Sequence, residues 1–193
     1  MTKEKLILFL QSTAAIEAGQ AAEIAQEFVP KVMRKHDFLL RAGKVSDDYV
    51  FLNEGFLRAF AYDTAGNDVT TGFYTGGQMV FEVASFFQRT PSLEHIQALT
   101  DCEGWVLTHA QLNALFHARP AFREFGRAVL VRGFAALKTR MLATITEPAA
   151  ARYEHLLQAA PAVAQHAPLK YIASYLGITD TSLSRIRKSM ARK

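Results

Sequence analysis

Residues 169–188, LKYIASYLGITDTSLSRIRK, constrain the fold of this chain more than any other stretch. Apolar residues recur at helical spacing on either side of a single glycine: Ile172, Ala173 and Leu176 before it, Leu183 and Ile186 after it. Gly177 stands where a left-handed C-cap residue is expected, and Thr179 offers a hydroxyl that suits the N-cap of the next helix. The pattern predicts a helix-turn-helix.

The outer face of the second helix is polar, which makes it a candidate contact for nucleic acid. Its N-terminal half, the part of a recognition helix that meets base edges, carries Asp180, Thr181, Ser184 and Arg185. Arginine binds guanine through two hydrogen bonds, whereas Lys188, Lys170 and Arg192 are better placed for phosphates. The alternative is an ordinary surface helix pair that ends in a solvated basic tail.

Charge is distributed unevenly along the chain, although the net formal charge is only +4. Residues 1–114 hold 9 basic and 14 acidic side chains, giving −5; residues 115–148 hold 6 and 2, giving +4; residues 149–193 hold 7 and 2, giving +5. A basic excess on and before the helix-turn-helix indicates a polyanionic partner, although a basic face also serves solubility alone.

Composition excludes several classes of protein. Half of the 193 residues are apolar, enough for one large or two modest domains, and no apolar run approaches the length of a membrane span. The start of the chain does not resemble a signal peptide, so we expect a cytoplasmic protein without a membrane partner. The single cysteine, Cys102, excludes an intrachain disulfide and a cysteine-built metal site.

No enzymatic motif is present in the sequence. A cupin-type metal site needs two histidines one residue apart, and the sequence has no such pair. Gly76 and Gly77 lack the Lys-Ser/Thr pair of a phosphate-binding loop. Single histidines such as His36, His95, His109 and His117 are usually structural. We therefore expect no catalytic residue, no metal and no cofactor, and leave open an unidentified small-molecule effector.

The residue pattern in the middle of the chain is typical of a small antiparallel β-unit. Residues 2–29 are rich in helix formers, and Pro30 is expected to close that helical stretch. Short Val, Phe, Tyr and Thr runs separated by Gly, Asp and Asn then extend to about Thr108. They predict strands near 32–36, 49–53, 56–63, 68–74, 93–99 and 103–108.

Helices dominate the remainder of the chain. A short helix is expected over 109–116 and a long one from Pro120 to about Ile145, followed by a hinge at 146–148 and a helix over 148–160. The long helix carries a near-heptad apolar seam: Phe122, Phe125, Val129, Gly133, Ala136 and Ala143. That seam fits either a dimer interface or packing on the chain's own β-unit, and both are compatible with different ends of the helix.

Taken in order, these elements resemble the Crp/Fnr family of bacterial transcription regulators over nearly the whole chain. The resemblance is carried by FLLRAGKVSDDYVFLNEGFLRAF (38–60), AGNDVT (65–70), VFEVASFF (80–87), IQALTDCE (96–103) and IASYLGITDTSLSRIRK (172–188). It implies an α+β fold: an N-terminal antiparallel β jelly roll of the cyclic-nucleotide-binding type, a long dimerisation helix and a C-terminal helix-turn-helix domain. The corresponding domain ranges are 1–118, 119–147 and 148–193.

The family resemblance also implies a function. By similarity, the chain is a homodimeric regulator that pairs through residues 120–145 and binds double-stranded DNA at a palindromic operator, with RNA polymerase as a further partner. The implied DNA contacts are Thr179, Asp180, Thr181, Ser184, Arg185, Lys188 and Lys170. The alternative is a sensory or scaffold module that keeps the cyclic-nucleotide-binding-like fold, binds a different small ligand and does not bind DNA specifically.

The ligand-binding segment departs from the family pattern. Members that bind cyclic AMP use a Gly-Glu pair for the ribose and an Arg-Ser or Arg-Thr pair for the cyclic phosphate. Here Glu82 matches the glutamate, but Phe81 replaces the glycine. Ser92 or Leu93 stands near the position of the arginine, with Glu94 close by. Arg89 is the nearest cation, in a predicted loop. An unpaired phosphate would cost several kcal/mol on burial, so we predict no tight binding of cyclic AMP.

Overall fold

The computed structural model describes residues 2–13 and 15–191, so the phosphate contact predicted for Arg192 lies outside the described residues. The chain begins with helix α1 (Glu4–Leu10), a 3-10 turn (Gln11–Thr13) and helix α2 (Ala18–Glu27). Leu6 and Leu10 of α1 and Ile24 of α2 are buried, because each falls on the inward face of its helix. These helices therefore cover part of the domain that follows.

Eight strands form that domain, which is a jelly roll. They are β1 (Val29–Met33), β2 (Phe38–Leu40), β3 (Asp48–Glu54), β4 (Phe56–Tyr62), β5 (Asp68–Thr75), β6 (Gln78–Val80), β7 (His95–Ala98) and β8 (Cys102–Thr108). One antiparallel sheet has the order β1-β8-β3-β6 and the other the order β2-β7-β4-β5. Two four-stranded sheets with these orders are the jelly-roll arrangement, so the predicted fold is confirmed.

The two shortest strands were not predicted from the sequence. β2 and β6 have three residues each, too few for an alternating pattern to stand out. Pro30 does not close a helical segment as expected: it lies within β1 opposite Trp105. Because β1 is an edge strand, the missing N–H of proline leaves no gap in the sheet.

Apolar side chains fill the space between the two sheets and a second layer outside them. Leu40, Val50, Leu57 and Ile96 meet in the interior of the jelly roll. A larger cluster outside the β1-β8-β3-β6 sheet joins strand residues to the flanking helices, and it includes Phe28, Phe51, Trp105, Leu112, Phe122 and Phe125. Burial of these side chains is the main force that holds the helices against the sheet.

Seven helices accompany and follow the strands in the described part of the chain. They are α3 (Val83–Gln88), α4 (His109–Ala118), α5 (Pro120–Thr146), α6 (Ala149–Ala159), α7 (Ala162–His166), α8 (Leu169–Leu176) and α9 (Asp180–Met190). The predicted long helix is thus present, with Pro120 at its first turn, where proline costs no hydrogen bond. Among the helices of 2–13 and 15–191, none has the length and hydropathy needed to span a bilayer.

Candidate nucleic-acid interface and ligand pocket

The C-terminal helices form the helix-turn-helix predicted from the sequence. Helix α8 ends at Gly177, which has the left-handed conformation with φ 66°, and α9 begins after Thr179. The hydroxyl of Thr179 accepts a hydrogen bond from the backbone N–H of Ser182 at 3.2 Å. The glycine and the threonine therefore set the angle between the two helices.

Buried apolar residues hold α8 and α9 together. The inward residues Ile172, Ala173, Leu176 and Leu183 are buried with Tyr153, Leu156 and Val163 of the preceding helices. This core leaves the opposite face of α9 free of packing. Its position explains why the polar residues of α9 point away from the domain.

The predicted DNA-contacting residues of α9 lie on one face of that helix, by their helical spacing. Asp180, Thr181, Ser184, Arg185 and Lys188 on α9 are all exposed, as is Lys170 on α8. Neither Arg185 nor Lys188 forms an ion pair with any residue in the described ranges. The hydroxyl of Thr179 lies 2.9 Å from the hydroxyls of Thr181 and Ser182, in addition to its capping bond. Thr179 is therefore engaged within the helix cap.

Helix α8 also packs on the outer face of the β2-β7-β4-β5 sheet, a contact the sequence analysis missed. The Ser174 hydroxyl accepts a hydrogen bond from the Thr70 N–H at 2.7 Å. The rings of Tyr175 and Phe73 lie 5.2 Å apart between centroids. Arg58 of β4, fully buried, lies under the ring of Tyr171. An arginine within the apolar run FLRAF was the only sequence signal for this contact.

Glu82 of the ligand-binding segment serves as a helix cap. Its carboxylate accepts hydrogen bonds from the N–H groups of Ala84 at 3.0 Å and Ser85 at 2.7 Å, at the start of α3. The adjacent Phe81 is buried, with its ring 4.8 Å from that of Tyr49. Phe81 therefore belongs to the aromatic core.

Arg89 and Ser92 are both committed to contacts within the chain. The Arg89 guanidinium is 2.7 Å from the Asp47 carboxylate and donates to the Ser46 carbonyl at 2.8 Å. The buried Ser92 hydroxyl accepts from the Glu94 N–H at 3.0 Å and donates to the Glu94 carbonyl at 2.9 Å. Arg89 is thus held against the 46–47 loop.

Acidic and phenolic groups stand beside this segment. Burial is the main cause that raises the pKa of Glu94 above its ordinary value, and the Glu82 carboxylate raises it further. Burial likewise raises the pKa of Tyr74 to about 12. Arg140 of α5 donates to the Thr71 carbonyl on the same strand as Tyr74. No sequence pattern pointed to Arg140 at this position, because α5 meets β5 only in the folded chain.

The two ends of α5 have different surroundings. Phe122 and Phe125 are buried in the chain's own core. The N-terminal part of the seam therefore packs on the chain's own β-unit, which is one of the two predicted alternatives. Further along, Gly133 and Ala136 are exposed. The large exposed apolar residues of this half form a different stripe: Leu130, Val131, Phe134, Leu137, Met141, Leu142 and Ile145.

Comparison with known proteins agrees with this architecture. Residues 30–119 match the family profile of the cyclic nucleotide-binding domain. No curated protein shows significant sequence similarity to the chain. Among solved structures, FixK2 from Bradyrhizobium japonicum is 15% identical, with a TM-score of 0.74 over 86% of this chain and 85% of that one.

Two further structures share the fold. CLP from Xanthomonas campestris, described as a c-di-GMP responsive global regulator, is 14% identical with a TM-score of 0.68, over 91% of this chain and 92% of that one. A mutant of CooA from Carboxydothermus hydrogenoformans is 18% identical with a TM-score of 0.67, over 88% of this chain and 79% of that one.

Residues 30–119 are therefore similar to the cyclic nucleotide-binding domain both in sequence profile and in their jelly-roll fold. The complete chain, from that domain through the long helix to the helix-turn-helix, has the fold of the Crp/Fnr regulators, as the resemblance predicted.

Proposed function

We propose that the protein is a DNA-binding transcription regulator of the Crp/Fnr type, not an enzyme, with domains at 1–118, 119–147 and 148–193. The observation that carries the proposal is the exposed polar face of α9, backed by the buried Leu183 and capped at Thr179. Arg185 is placed to bind a guanine edge, and Lys188 and Lys170 to bind phosphates.

The proposed assembly is a homodimer that forms through α5. Seven large apolar side chains are exposed along its C-terminal half, and most recur at spacings of three or four residues. Exposure of such a stripe to water is unfavourable, whereas a second copy of α5 would bury it. To reach successive major grooves, the two recognition helices of such a dimer should stand about 34 Å apart, one helical turn of DNA.

The proposed regulator does not respond to cyclic AMP. The cation expected for the cyclic phosphate is absent at Ser92, and Arg89 is already paired with Asp47. Glu94 adds an acidic group next to Ser92. A different effector, or none, is consistent with this pocket.

Site selection from random duplexes, followed by electrophoretic mobility shift of the full chain, tests the proposal. We expect enrichment of a palindromic sequence and retardation that weakens steeply as salt rises. The control is the same chain with Arg185→Ala and Lys188→Ala combined. Absence of retardation at low salt would contradict DNA binding and favour the alternative of a sensory or scaffold module.

A further inference from the structure

A crevice of about 330 Å³ lies between α5, α6 and α8, on the path from the long helix to the helix-turn-helix. We propose that it binds a small organic anion, specifically a carboxylate on a flat aromatic body. Its polar and aromatic lining consists of Arg140, Arg152, Tyr175, His155, Thr139 and Thr144. The volume is at the lower end of that typical of small-molecule sites.

Both arginines are held in place by neutral groups. The Arg152 guanidinium donates to the Thr144 carbonyl at 2.9 Å and to the Leu176 carbonyl at 3.0 Å, and its buried Nε has no partner. Arg140 donates to the Thr71 carbonyl, and its guanidinium carbon lies 3.9 Å from the centroid of Tyr175. The two guanidinium groups are therefore ordered before any ligand arrives.

Neither charge is neutralised within the protein. No carboxylate of residues 2–13 or 15–191 lies within ion-pair distance of Arg140 or Arg152. The positive charge of Arg140 lowers the pKa of Glu94, but the two side chains form no ion pair. The Glu147 carboxylate pairs with the His155 ring at 3.1 Å. Carbonyl groups satisfy hydrogen bonds but not net charge, so two half-buried cations favour an anion between them.

Apart from those polar and aromatic residues, five apolar side chains line the crevice, and they favour an apolar body on the ligand: Ala136, Ala143, Leu156, Ala159 and Leu176. Small alanine side chains on both α5 and α6 leave a flat space beside the Tyr175 ring. A fully hydrated anion such as phosphate would leave these walls uncovered, whereas an aromatic carboxylate would cover them and reach the arginines.

Part of the crevice wall on α5 faces away from the exposed stripe of that helix. With 3.6 residues per turn, Ala136, Arg140 and Ala143 fall on one side, and Phe134 and Met141 fall on the other. A ligand in the crevice would contact both α5 and α8, and so would favour the docked position of the helix-turn-helix.

Isothermal titration of the full chain with 2-naphthoate tests the site. We expect one site per chain, and about tenfold weaker binding in Arg140→Gln, which removes a charge-assisted contact. Ala143→Leu fills the crevice without altering either arginine and should weaken binding by about the same factor. The matched controls, Arg127→Gln on exposed α5 surface and Ala164→Leu on exposed α7 surface, should bind as the unaltered chain does.

Two further ligands separate charge from shape. Neutral 2-naphthalenemethanol and inorganic phosphate should each bind at least about tenfold more weakly than 2-naphthoate. The alcohol has no negative charge for the arginines, and phosphate has no aromatic body for the apolar walls. Failure of 2-naphthoate to bind, equal binding of the neutral analogue, or unchanged binding in Ala143→Leu would overturn the proposal. The effect on DNA affinity rests on the proposed function, but the titration does not. A chain that binds 2-naphthoate as described and never binds DNA would refute only the proposed function.

Discussion

The guanidinium carbon of Arg58 lies 3.5 Å from the ring centroid of Tyr171, and this contact joins the jelly roll to the first helix of the helix-turn-helix. Arg58 is only 1% exposed and is held by the Thr70 hydroxyl at 2.8 Å and the Asp68 carboxylate at 3.0 Å. A buried charge so held is rigid, and stacking of a desolvated cation on an aromatic face is favourable. The pair therefore fixes α8 on the sheet.

We expect Arg58→Ala to lower the free energy of unfolding by about 2 kcal/mol, since it removes charge-assisted hydrogen bonds to Thr70 and Asp68. Tyr171→Ala should be less costly. In a double-mutant cycle measured by urea denaturation, the two changes should couple by about 1 kcal/mol. Arg58→Ala paired with Arg127→Ala, a distant surface change, is the control. Strict additivity of Arg58 and Tyr171 would mean that the stack does not stabilise the docking.

Arg185 and Lys188 should have different effects on DNA binding. Arg185→Ala should cost about 1 to 3 kcal/mol on the selected site and relax preference at one base pair. Lys188→Ala should weaken binding to all duplexes alike and reduce the salt slope by about one. Fluorescence anisotropy at several salt concentrations, on selected and scrambled duplexes, measures both quantities. Equal losses on the two duplexes for both variants would contradict the assigned roles.

Glu94 should make stability depend on pH. Its pKa is raised in the folded chain, mainly by burial, so the folded state resists ionisation of this carboxyl more than the unfolded state does. Its contribution is therefore most favourable below the unfolded pKa and is lost as pH rises through the folded pKa. Glu94→Gln should stabilise the chain at about pH 8 and have little effect at about pH 4.

Urea denaturation at both pH values measures this difference. Glu103→Gln, at an exposed position of β8, is the control and should leave the pH dependence unchanged. Equal stabilisation by Glu94→Gln at the two pH values would show that the carboxyl ionises as freely in the folded chain as in the unfolded one.

Local signals were enough to predict the helix-turn-helix. Gly177 and Thr179 act within a few residues of their own backbone, so their roles follow from spacing alone. The same holds for Pro120 at the start of α5. The strands of seven or more residues were also located, because their alternation or apolar runs are long enough to recognise.

Contacts between distant elements could not be predicted in this way. Arg58 and Tyr171 are separated along the chain by four strands and five helices, including the whole of α5, and no periodicity links them. From the sequence alone, Arg140 cannot be distinguished from an exposed cation on a basic helix. The dimer alternative for the seam beyond Val129 stays a prediction, since Gly133 and Ala136 are exposed in the single chain. The large exposed apolar side chains of α5 were not included in that seam.

The exposed stripe of α5 should determine the oligomeric state. Phe134 is 71% exposed, Leu137 61% and Ile145 73%. Phe134→Glu would place a charge inside the proposed α5 interface, so we expect it to weaken dimerisation by at least about tenfold. Light scattering after size-exclusion chromatography measures the mass. Ala136→Glu, on the opposite side of α5 from Phe134, should stay dimeric, and a monomeric unaltered chain would refute the proposed interface.

Cyclic AMP should not stabilise this chain. A ligand present at 100 times its dissociation constant adds about 2.7 kcal/mol to the free energy of unfolding, which a thermal shift detects readily. At the position where the phosphate would need a cation, the chain has Ser92, whose hydroxyl is bonded to the backbone of Glu94. The Glu94 side chain is acidic, and its ionised form would repel the cyclic phosphate. We expect no shift with cyclic AMP or cyclic GMP at millimolar concentration. A shift of several degrees would mean that Arg89 leaves Asp47 to bind the phosphate, and Arg89→Gln should then abolish it.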